Sequence, residues 1–146
     1  MDTGGPNLLY LVGRIDRAVR RAIGDAVKEH GLSVNQYTTL SVLDRRGGLS
    51  NAQLAGRALV SPQSMNEVLL RLEKLGLVSR HDHPEHGRIR QTELTPAGRK
   101  VLAACDKQVR VVEARMVDDL SSRDQEKFRE ALVNGIQALQ GVPPPT

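Results

Sequence analysis

The sequence predicts a mainly α-helical chain with one small β-hairpin. Three observations predict it. Helix-spaced apolar stripes recur between residues 7 and 140, most of them opened by a serine or threonine cap. One interval breaks that rhythm: residues 77–80 and 89–94 read as short strands flanking a polar tip that holds Pro84 and Gly87. Aromatic residues make up only 2% of the chain, with no Trp, so the core has to be built from Leu, Val and Ala on helices.

Bulk properties narrow the function classes. A length of 146 residues suits one domain, or one subunit with an extended dimerisation region. A net charge of +4 and a pI of about 9.6 favour nucleic acid over acidic-protein or metabolite partners. Scarce aromatics argue against single-strand binding by base stacking. The single cysteine excludes an intrachain disulfide and fits a reducing cytoplasm. The N-terminus lacks a signal-peptide pattern and no apolar run approaches membrane-spanning length, so a cytoplasmic protein without membrane contact is expected. There is no Gly-rich phosphate loop, nucleophile motif or credible carboxylate pair, so neither an enzyme nor a cofactor is expected.

Residues 1–6 are expected to form a flexible lead. From 7 to 30 the stripe Leu8, Val12, Ile15, Val19, Ala22 and Ala26 steps by four and three, a heptad seam, and Gly31 closes the helix. Such a seam fits either a partner helix from another subunit or packing within the same chain. Ser33-Val34-Asn35-Gln36 is a capping box opening a helix to about Arg46, with Val34, Tyr37, Leu40 and Leu43 inward. Gly47-Gly48 ends it, and Leu49 is placed to pair with the hairpin as a very short strand.

The next stretch organises the rest. Ser50-Asn51-Ala52-Gln53 is a second capping box. Ser61-Pro62 is an N-cap followed by proline at the first helical position, and Pro62 ends the preceding helix by about Val60. From Pro62, the residues Met65, Val68, Leu69, Leu72 and Leu75 face inward, while Gln63, Ser64, Asn66, Glu67, Arg71 and Lys74 face out; Gly76 is the stop. The hairpin follows. Helix, turn, helix, hairpin is a known way of presenting one helix to a DNA major groove, with the hairpin as a wing. Thr95-Pro96 then opens a long helix to about Leu120, with Val101, Cys105, Val109, Val112 and Met116 on one stripe. Ser122-Arg123-Asp124-Gln125 reads as a further capping box for a last helix carrying Phe128, Leu132, Ile136 and Leu139. The tail from Gly141, with its run of prolines, cannot continue that helix.

The central segment resembles the winged helix of the multiple antibiotic resistance regulator (MarR) family. Leu54-Ala55, the Ser61 helix start, the run from Leu72-Glu73-Lys74-Leu75-Gly76-Leu77 into Val78-Ser79-Arg80, and Leu94-Thr95-Pro96-Ala97-Gly98 all stand in register. The resemblance implies a winged helix-turn-helix over 33–95, flanked by dimerisation helices at 1–32 and 96–146. It further implies a homodimer acting on a palindromic operator as a ligand-responsive repressor.

Candidate site residues follow from both readings. Ser61, Gln63, Ser64 and Asn66 can reach base edges or a phosphate; Gln and Asn pair well with adenine, and Arg71 reaches guanine or a phosphate. The free N–H groups at the start of that helix favour a phosphate. Glu67 accepts from cytosine or repels phosphate. On the wing, Arg88 and Arg90 are the candidates. The resemblance implies an aspartate two residues before the wing arginine, orienting it into the minor groove. His86 stands there instead, leaving Asp82 or Glu85 as the available acids. The resemblance also implies an effector pocket between the dimerisation helices and the winged helix, with Arg14, Tyr37 and Val101 as lining candidates. His81, His83 and His86 crowd the tip with Asp82 and Glu85, but a mobile tip is a poor metal cage, so a solvated tip and no metal are expected. Cys105 reads as a buried, inert thiol rather than an oxidant sensor. Two rivals remain: an architectural DNA binder of low specificity, and a helical protein-interaction module using the heptad seam.

Overall fold

The computed structural model describes residues 5–85, 87 and 89–140. The chain divides into two compact units, Met1–Val112 and Glu113–Thr146.

In the first unit, α1 (Leu8–Val27) is capped by Asn7, whose side chain accepts from the Tyr10 N–H, and runs into a 3-10 turn at Lys28–His30. Gly31 stops it at φ 75°, a left-handed conformation that glycine adopts without steric cost. The Ser33–Gln36 box opens α2 (Val34–Arg45), and the Ser50–Gln53 box opens α3 (Asn51–Ala58); in each, both reciprocal bonds are present. Between them Leu49–Ser50 forms β1. Then come α4 (Pro62–Lys74), β2 (Val78–Asp82), β3 (Arg90–Leu94) and α5 (Pro96–Met116), the last running through the unit boundary.

The sheet is antiparallel in the order β1-β3-β2, with Leu49 and Arg80 both opposite Thr92 and Val78 opposite Leu94. One face of it completes a core whose centre is Leu40, Leu54, Met65, Leu69 and Leu72, all fully buried, joined by Val27, Leu102 and Cys105. Each such leucine contributes roughly 1.5–3 kcal/mol of apolar burial. This core therefore joins the start of α5 and both helices of the helix-turn-helix to the hairpin.

Two local devices aim α4. The α3–α4 turn is short because Leu59 takes a left-handed conformation, φ 59°, as the α3 C-cap. A leucine there costs about 1–2 kcal/mol, yet it reverses the chain in time for the Ser61–Pro62 start. At the other end, Gly76 is left-handed, and Thr95 joins α4 to α5: its hydroxyl donates to Gly76 O at 2.7 Å and accepts from Gly98 N–H at 3.0 Å. The Thr95 N–H donates to Leu77 O.

In the second unit α6 (Ser122–Gln140) follows a turn, and its described apolar side chains, Phe128, Leu132, Val133 and Ile136 among them, are exposed.

Several expected boundaries move. The strands are Val78–Asp82 and Arg90–Leu94, so His81 and Asp82 lie in the ladder rather than in the tip; a His83 N–H to Ile89 O bond of 2.7 Å extends the pairing outward. Helix α5 ends at Met116 instead of Leu120, because the chain tightens into i→i+3 bonds from Asp118 to Arg115 and from Leu120 to Val117. The cap of α6 is Ser121, not Ser122. The Ser121 hydroxyl accepts from Asp124 N–H, which leaves Gln125 one position too late to close a box; its amide instead donates to the carbonyls of Val117 and Leu120. Leu75, expected inward, is 41% exposed, because the last turn of α4 has already passed the core.

Gly98 is fully packed beneath this junction, and a Cβ there would collide with Leu77 O. Gly98→Ala should cost about 3 kcal/mol of unfolding free energy, read as a lowered denaturation midpoint. An unchanged midpoint would show that the junction is not held as described.

Candidate nucleic-acid interface

Ser61 starts α4 by accepting from the Ser64 N–H at 3.1 Å, and its own hydroxyl donates to Ser64 Oγ at 3.0 Å. The two serines are thus committed to the cap. Pro62 supplies no N–H at the first position and sets φ for the helix. With Met65, Leu69 and Leu72 fully buried, helical periodicity turns the opposite face out. Gln63, Asn66, Glu67, Arg71 and Lys74 are all exposed there, with Leu70 between them. Gln63 and Asn66, three residues apart, lie one above the other on that face. No described residue caps or pairs their amides. They can therefore give and accept hydrogen bonds with an external ligand without first breaking an internal one.

The hairpin rises beside α4. Arg90 is exposed at the outer end of β3, in register with Asp82. Arg88 and His86 lie outside the described residues. Among the described residues no three His, Cys, Asp or Glu side chains converge on a possible metal position.

The three effector candidates separate. Arg14 stands on the exposed part of α1, its guanidinium 6.0 Å from the Tyr10 ring, on an open face of that helix that also carries Gly13, Arg17, Ala18 and Arg21. Tyr37 is buried, and its hydroxyl donates to Asp106 Oδ1 at 2.6 Å. Burial first, and then that bond to a carboxylate, push its pKa up to about 12. Val101 is half-buried against the core. Next to Asp106, Cys105 is fully buried, and burial raises its thiol, so the thiolate needed for oxidation chemistry is disfavoured.

A polar latch that the sequence did not point to ties the 3-10 turn to α5. The Gln108 amide donates to Glu29, and its carbonyl oxygen lies 3.2 Å from His30 Nε2. Arg80 was also missed. It points inward from β2 and donates to Asn51 Oδ1 at 3.2 Å. The available signal was the strand period of two, which places Arg80 on the same face as Val78.

Comparison with known proteins places this arrangement. A model of the MarR family matches residues 30–89. The HTH-type transcriptional repressor Rv2887 of Mycobacterium tuberculosis is 34% identical over 123 residues, covering 84% of this chain and 88% of the relative. Its crystal structure in complex with DNA superimposes with a TM-score of 0.74 at 32% identity, covering 89% of this chain and 98% of that one. A second crystal structure of the same protein, with salicylic acid, gives 0.74 at 33% identity, covering 89% and 96%.

The chain belongs to the MarR family of transcriptional regulators. In this MarR protein α4 and the hairpin after it are the second helix and wing of a winged helix-turn-helix, and no described helix is long and apolar enough to cross a membrane.

The Tyr37–Asp106 bond predicts a pH dependence. The folded-state pKa, about 12, lies above the ordinary value of 10.0. The stabilisation is fully present below pH 10 and is lost as pH rises from 10 through 12, because only the unfolded chain releases the proton first. Tyr37→Phe should remove that part of the alkaline loss of stability. Denaturant titrations of both proteins between pH 9 and 12 test it; parallel curves would refute the assignment.

Proposed function

We propose that the protein is a homodimeric repressor that binds a palindromic duplex site in a promoter through α4 and the wing, and releases it on binding a small aromatic acid. The observation that carries the reading is the exposed face of α4, with Gln63 and Asn66 uncommitted between a capped N-terminus and the basic end of the helix at Arg71 and Lys74. Both amides suit adenine edges, Arg71 suits guanine or phosphate, and the Ser61 start suits phosphate. Arg88 is assigned to the minor groove, as the family resemblance implies, and Arg90 adds positive charge on the wing. The DNA complex of the relative supports the class of ligand. Nothing in this reading calls for catalysis or a cofactor, and the protein works in the cytoplasm.

Dimerisation falls to 1–32 and 96–146, with 33–95 as the reading unit. Leu8, Leu9, Val12 and Ile15 of α1 are 42–79% exposed, and α6 exposes Phe128, Leu132 and Ile136. Apolar surface on this scale is a candidate for burial by a second copy. Two copies present two α4 helices, which matches a two-fold operator.

For the effector, the exposed face of α1 combines three guanidinium groups, Arg14, Arg17 and Arg21, with the Tyr10 ring. That set suits an aromatic carboxylate, by ion pairing and ring stacking. The salicylic acid complex of the relative supports the class. Tyr37 and Val101 contribute by holding the nearby core rather than by lining.

Selection of bound duplexes from a random pool should return one palindromic consensus. Gln63→Ala and Asn66→Ala should each relax preference at particular bases by about 1–3 kcal/mol while leaving random-sequence binding unchanged. Uniform coating of DNA without a consensus would support an architectural binder instead.

Salicylate should weaken binding of the parent to that duplex. The Arg14→Ala variant should need about tenfold more ligand for the same release, as expected for loss of one charged hydrogen bond. Equal sensitivity would move the effector site elsewhere.

A further inference from the structure

A second basic site lies off the reading helix, where the start of α3 meets the wing. Ser50, Asn51 and Ala52 form one wall, and Arg80, Ile89 and Arg90 form the other, around a notch of about 410 Å³. The sequence builds it in three steps. Ser50 is at once the last residue of β1, paired with Gln91, and the N-cap of α3, so the first turn of α3 is fixed to the edge of the sheet. In the β2–β3 register, Val78–Leu94, Arg80–Thr92 and Asp82–Arg90 alternate outward from the core along one face. The apolar pair is buried in the core; the next pair puts a guanidinium where another apolar side chain would have continued it.

That guanidinium is incompletely satisfied. Its Nη2 donates to Asn51 Oδ1 at 3.2 Å, while its Nε is shielded from solvent and has no hydrogen-bond partner among the described residues. The hydroxyl of Thr92, its cross-strand neighbour, is fully buried and likewise has no partner. Among the described residues neither Arg80 nor Arg90 forms an ion pair with a carboxylate. A buried donor without a partner is costly, and two guanidinium groups bordering one concavity attract an anion, Arg80 more strongly than Arg90, which has Asp82 opposite it across the strands. The N–H groups of Asn51 and Ala52 belong to the first turn of α3, which has no partners for them within the helix, and they add the positive end of the helix dipole. The notch opens on the outer half of the hairpin, next to the helix that crosses the DNA backbone in this class of motif.

We propose that this notch binds one backbone phosphate of the duplex, with Arg80 as the anchoring residue, held in position by Asn51, and Arg90 as the outer contact. The inference rests on the reading of the protein as a duplex binder. It adds a contact that sets how far the wing stands from the backbone, and carries no base information.

The test uses the full-length protein and the duplex it selects from the random pool. Arg80→Met keeps the aliphatic stem and removes the charge; Arg80→Lys keeps the charge and loses the fork. Arg80→Met should weaken selected and random duplexes alike, by about tenfold, and lower the slope of log affinity against log salt by about one unit. Arg80→Lys should keep the slope. Duplexes carrying one neutral methylphosphonate linkage should reveal a position that weakens the parent but not Arg80→Met. Equal losses in both variants with an unchanged slope and a lowered denaturation midpoint would show that Arg80 only braces α3, overturning the proposal. So would the lack of any linkage whose effect depends on Arg80. A parent protein that selects no duplex would overturn the duplex-binding reading itself, and this one with it.

Discussion

Everything outward of α4 depends on the junction where Gly76 and Leu77 meet Thr95 and Gly98. One hydroxyl closes it: Thr95 donates to the carbonyl of Gly76 and accepts from the N–H of Gly98. The exit of one helix and the entry of the next are thereby held together, and the hairpin between them is anchored at both feet. The absence of a side chain at Gly98 lets the α5 backbone approach Leu77 O closely. Val78 and Leu94, paired at the base of the hairpin, are buried in the core directly above. The wing therefore inherits its direction from packed apolar residues, although its own outer end is polar and exposed.

The same division of labour governs α4. Its inner side is fixed by Met65, Leu69 and Leu72 at zero exposure, so the outward face has no freedom to rotate. What that face shows is short and mostly uncharged near the N-terminus, then basic at Arg71 and Lys74. Neutral amides give directional hydrogen bonds without strong attraction to any polyanion, while the flanking cations supply the long-range attraction. The strained Leu59 belongs to this arrangement: a left-handed leucine shortens the turn that separates the two helices.

The apolar surfaces left open on α1 and α6 have a different origin. The heptad seam on α1 packs within the chain only from about Val19 onward, so only its C-terminal part, ending at Val27, enters the core. Leu8, Leu9 and Val12 are then an apolar face without an internal mate. Such a face is stable in water when another surface covers it, which is the physical case for a dimer in this family.

Much of the fold was legible in the sequence because its signals are local. A capping box needs a serine and a glutamine three residues apart, and both Ser33–Gln36 and Ser50–Gln53 close as their spacing demands. Ser61–Pro62, the Gly76 stop and the polar hairpin are equally short-range, so the helix-turn-helix and the wing could be read directly, whereas the pairing of Leu49 with Thr92 spans the whole motif and is only a guess from sequence. The adjacent serines at 121 and 122 show the limit: the choice of cap depends on where α5 unwinds, and Gln125 found the carbonyls of that turn instead. The site divides in the same way. Gln63 and Asn66 follow from helical period alone. Arg80 meeting Asn51, Tyr37 meeting Asp106 across 69 residues, and Glu29 meeting Gln108 are products of tertiary packing. A sequence states which side chains can bond, but only the folded chain decides which distant partner stands within about 3 Å.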